Sequence, residues 1–73
     1  MDEKTLKELL LRENEEFRKA YEEHQGYENS LEQIRNKPFL SEEETLQEKE
    51  LKKKKLVLKD RMYLMMAEYR KSV

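Results

Sequence analysis

His24 is the sole histidine in 73 residues, and its imidazole is a candidate general base or metal ligand near neutral pH. Its neighbours support neither role. Zinc centres draw on several His or Cys side chains, whereas this chain has one histidine, no cysteine, and an adjacent Glu23 that points about 100° away round a helix. Catalysis would further need an orienting partner and a concave pocket. The expectation is a structural histidine, packed between helices and hydrogen-bonded near a lysine run. No catalytic residue, metal, cofactor or small-molecule substrate is expected, and the chain reads as a non-enzyme.

The other candidate chemistry is anion binding. Residues 49–61 hold seven basic and two acidic side chains, with Lys52, Lys53, Lys54 and Lys55 in succession. On a helix those four spread round the axis instead of lining a phosphate backbone, and only Lys52, Lys55 and Lys59 share a face. Glu48 and Glu50 stand four residues before Lys52 and Lys54, the favourable order for pairing within a helix. The run therefore reads first as a solvated, internally paired surface. Binding of nucleic acid or an anionic surface through residues 49–61 is the alternative function.

Both candidates must be held by helices. Charged residues make up 45% of the chain and apolar ones 36%, close to the composition of disorder, but a net charge of −1 removes the usual self-repulsion. One Gly, one Pro and abundant Leu, Glu and Lys give high helix propensity throughout. An apolar stripe at steps of three and four residues runs through Leu6, Leu10, Phe17, Ala20, Tyr21, His24, Tyr27, Leu31 and Ile34, with only Glu13 interrupting. Leu10, Phe17, His24 and Leu31 lie seven apart, the repeat of a helix wrapped on a partner. One helix over about 3–36 is predicted. Gly26 within it is read as a tolerated defect costing about 1 kcal/mol, the alternative being a bend or close contact.

That helix stops at Asn36 and Lys37, ahead of Pro38. A second starts at Ser41, whose hydroxyl can accept an amide three residues on while Glu44 reaches back, with Glu42 and Glu43 also favouring the helix start. Leu51, Leu58, Met62, Met65 and Tyr69 share its inner face, and Lys55 lays its stem along the seam. The prediction is all-α: a single helical-hairpin domain over 1–73, with helices over about 3–36 and 42–71, a turn at 37–41, and scope to pair into a four-helix bundle. Charge favours the antiparallel match. Residues 1–36 carry six basic and ten acidic side chains, and residues 37–73 carry ten basic and seven acidic. In that register Glu22, Glu23 and Glu28 oppose Lys49 and the lysine run.

Some apolar residues lie off the seam. Leu56, Tyr63 and Met66 fall on one flank of the second helix, Val57 and Leu64 on the other, while Leu9 and Leu11 flank the first. A two-helix hairpin cannot cover them, so they are the expected docking surface for a second copy or another protein. Met62, Met65 and Met66 can also serve as simple core filling. Met1-Asp2-Glu3-Lys4 has no signal-peptide core, no apolar run approaches the roughly 20 residues of a membrane span, and the lack of cysteine fits a reducing compartment.

The order Phe17, Tyr21, His24, Tyr27, Leu31, Ile34, a turn, then Leu51-Lys52-Lys53 and Lys55-Leu56-Val57-Leu58-Lys59-Asp60-Arg61-Met62 resembles the YdcH-like family of small bacterial proteins. Lys55 to Asp60 is the most telling part. The resemblance implies a bacterial, cytoplasmic helical hairpin from a family whose biochemical role is unassigned.

Overall fold

The computed structural model describes residues 2–72. Met1, which opens the N-terminal reading, and Val73, the last residue of the expected domain, lie outside the described residues. Every described element is helical: α1 over Glu3–Glu13, α2 over Glu15–Arg35 and α3 over Glu42–Ser72. Three helices replace the predicted two.

The expected helix over 3–36 breaks at Asn14, which leaves helical geometry at φ −116° and ψ 109°. Its side-chain oxygen accepts from the Phe17 amide at 3.0 Å, capping α2, while Glu15 and Glu16 place carboxylates at the positive helix end. Its own amide closes α1 by donating to the Leu10 carbonyl at 2.8 Å. Arg18 supplies donors for two further orphan carbonyls of α1. Its Nε reaches the Leu11 oxygen at 3.0 Å and its Nη2 the Arg12 oxygen at 3.4 Å.

Beyond this break α1 doubles back over α2. Lys7 Nζ lies 5.0 Å from the centre of the Tyr21 ring, although an unbroken helix would hold those residues about 21 Å apart. The reversal gives Leu6 and Leu10 a buried place with Phe17 and Ala20 of α2 and Leu58, Met62 and Met66 of α3. Each large side chain so buried contributes about 1.5–3 kcal/mol. An unbroken helix would instead carry Leu6 toward Arg70, Lys71 and Ser72, where apolar surface is thin.

Helices α2 and α3 run antiparallel. Their direction is fixed by Arg35–Glu48 at 3.9 Å, Glu28–Lys55, and Glu16–Arg61 at 2.8 Å. Glu28 thus faces the lysine run as predicted from charge. At about 1.5 Å per residue α3 alone spans about 46 Å, and the molecule measures 48 × 20 × 16 Å. Between the two helices, Ser41 Oγ accepts from the Glu44 amide and Glu44 Oε1 accepts from the Ser41 amide, both at 3.1 Å. The capping box closes in both directions, and Lys37 pairs with Glu44 across the turn. A Cβ at Gly26 would meet nothing within 4 Å, so no close helix approach requires the glycine.

Candidate docking face on the third helix

Helix α1 and helix α2 each bury one apolar stripe, but α3 carries apolar side chains on both its inner and its outer face. Leu58 and Met62 turn into the core. On the opposite side Leu56 is 57% exposed, Tyr63 48%, and Val57 and Leu64 65% each. Leu56 and Tyr63 are seven residues apart, as are Val57 and Leu64, and a seven-residue step returns to the same face within about 20°. The result is two short parallel stripes on the back of α3.

Met66, placed with these residues by sequence, is only 7% exposed and belongs to the core. The cause is α1: folded back, it brings Leu6 and Leu10 onto that flank of α3 and closes it. Leu11, also expected on an open flank, packs against the same core. In exchange, Leu46 joins the exposed set at 58%. It precedes Val57 by eleven residues, about three turns, so helical spacing could have found it. Lys53 stands one turn before both stripes and lines shallow grooves with Leu56 on one side and Val57 on the other.

The three lysines proposed as an anion-binding face are put to different uses. Lys52 is exposed, Lys55 is half-buried against Glu28, and Lys59 holds its ammonium 6.0 Å from the Tyr63 ring centre. Their spacing places them on one side of α3, but the ion pair to Glu28 draws Lys55 toward α2. The intrahelical pairs expected from Glu48 and Glu50 do not form among the described residues. Glu48 reaches Arg35 instead.

His24 is half-buried and lines a cleft of about 120 Å³ at the meeting of all three helices, with Lys7 from α1, Tyr21 and Gln25 from α2, and Lys59 and Met62 from α3. Burial holds its imidazole pKa below the ordinary 6.5. Lys55 adds to the shift, Glu28 opposes it, and Lys59 and Lys7 contribute further in the lowering direction. Among the described residues no group of His, Cys, Asp and Glu is arranged to hold a metal ion. No helix of the described residues is long and apolar enough to cross a membrane.

A family model described as Protein of unknown function (DUF465) matches residues 17–66. The match begins at Phe17, where the YdcH-like resemblance also begins, and the two agree in the family to which they point. No curated protein and no solved structure matches the chain.

Proposed function

The chain belongs to the DUF465 family of proteins of unknown function, and for this member we propose a non-enzymatic helical interaction module whose docking face is the back of α3. The observation that carries this reading is the second apolar face of one helix. Leu46, Leu56, Val57, Tyr63 and Leu64 stay open on a helix whose other face already fills the core. A helix with a second apolar stripe has surface that a further layer can cover, and a second copy of the molecule supplies that layer by laying its own α3 against this one. The predicted four-helix bundle then becomes a six-helix assembly, because each copy contributes three helices. The cytoplasmic setting implied by the YdcH-like resemblance belongs to the same proposal, as does the absence of catalysis.

Replacing Leu56 and Leu64 together by Glu tests it. Sedimentation velocity is expected to show a concentration-dependent dimer for the native chain and a monomer of unchanged helix content for the variant. If the native chain sediments as a monomer up to millimolar concentration, the docking face has no such role. The alternative is binding of nucleic acid or an anionic surface through residues 49–61, supported by the exposed Lys52, Lys53, Lys54 and Lys59. It is separated by salt: polyanion binding weakens steeply as salt rises, whereas apolar docking does not.

A further inference from the structure

We infer that α1 is an exchangeable element, and that a second copy of this chain can receive it in the groove formed by Phe17 and Ala20 of α2 with Met62 and Met66 of α3. Three independent observations point there. Asn14 is the one non-helical residue between α1 and α2, so a change at a single hinge converts the fold-back into a continuous helix. The seven-residue repeat of Leu10, Phe17, His24 and Leu31 runs through that hinge without a change of phase, so the continuous form is already written into the apolar pattern. Finally, the family match starts at Phe17 and therefore includes the groove but leaves out α1.

The two forms differ little in what they satisfy. In the closed chain Asn14 caps the Phe17 amide, and Arg18 serves the Leu11 and Arg12 carbonyls. In the open chain ordinary helical hydrogen bonds take over those amides and carbonyls. Exchange then rebuilds between two copies the same burial of Leu6 and Leu10 that α1 now makes within one, the usual low-cost route to a domain-swapped dimer. This interface is separate from the back of α3 and does not depend on it. Two different two-fold interfaces on one chain join more than two copies, so a native back face together with an opened hinge gives species larger than dimers.

Asn14→Ala removes the cap and favours helix at the hinge, which is worth about tenfold per chain and about a hundredfold in a dimer association constant. The experiment compares native, Asn14→Ala, Asn14→Gln and Asn14→Gly chains by light scattering over a concentration series, each in the Leu56→Glu, Leu64→Glu background so that the back face cannot contribute. Ala and Gln are expected to promote a closed dimer. Gly, which still allows the cap position but disfavours a continuous helix, is expected to leave the monomer in place. Adding Lys7→Cys and Tyr21→Cys with a short bismaleimide reads the exchange directly: the link falls within one chain in the monomer and between two chains in the dimer. The inference is overturned if both Ala and Gln variants keep native helix content yet stay monomeric, or if their dimers link only within single chains.

Discussion

At the scale of single residues, His24 shows how packing sets a charge state. Its pKa is lowered first by burial and next by Lys55, with Lys59 and Lys7 adding to the effect and Glu28 opposing it. Below pH 6.5 the unfolded chain therefore takes up a proton that the folded chain resists. Stability is predicted to be full above that pH and to fall as the pH drops through the lower, folded value. Denaturant melts between pH 7 and 5 should show the decline, and His24→Gln should flatten it. Glu28 and Glu44 act in a lower window, because their hydrogen bonds to Lys55 and Lys37 hold both carboxyls below 4.5. Their contribution is present above pH 4.5 and is lost as the pH falls below it. Gly26 gives an opposite kind of test. With open space where its Cβ would stand and no unusual backbone angle, Gly26→Ala is predicted to stabilise the chain by about 0.5–1 kcal/mol in a thermal or urea melt. A loss of stability there would point to a contact that α2 does not make in this fold.

At the scale of elements, Ser41 and Asn14 explain what could be read from the sequence and what could not. Both are short polar residues followed by acidic ones, and both cap a helix through a side-chain oxygen. Ser41 was legible because Pro38 had already ended the preceding helix, so its cap had an opening to fill. Asn14 was hidden because the apolar stripe passed through it in phase, and only Glu13 hinted at a fault. Periodicity marks which face of a helix is apolar but not whether the helix is unbroken. Met66 lies in the core for the same reason, since only a folded-back α1 closes that flank. The outer residues Leu56, Val57, Tyr63 and Leu64 were legible from spacing alone, because the helical period turns them away from the face that carries Leu58 and Met62. Ser41→Ala should cost about 0.5–2 kcal/mol and Ser41→Gly only a few tenths, as measured by chemical denaturation. Equal losses for the two would mean that the hydroxyl contributes little to starting α3.

At the scale of the whole molecule, one long helix organises the rest. Helix α3 spans the particle, takes α2 along its inner face, receives α1 near its C-terminal half, and leaves its back to solvent. Seventy-three residues can bury only about 60% of the surface of the unfolded chain, so a further layer of apolar contact adds appreciably to so small a core. The back of α3 also carries Lys53 and Asp60, both exposed and seven residues apart on the same face, so among its apolar side chains the face holds one charge of each sign. Sodium chloride should therefore leave an apolar self-association nearly unchanged, and kosmotropic salts should strengthen it. The most direct measurement is sedimentation equilibrium of the native chain from 50 mM to 500 mM sodium chloride. A dimer whose dissociation constant does not rise with salt is the predicted result. A chain that remains monomeric throughout, or an association that weakens with salt, would contradict an apolar docking face on α3.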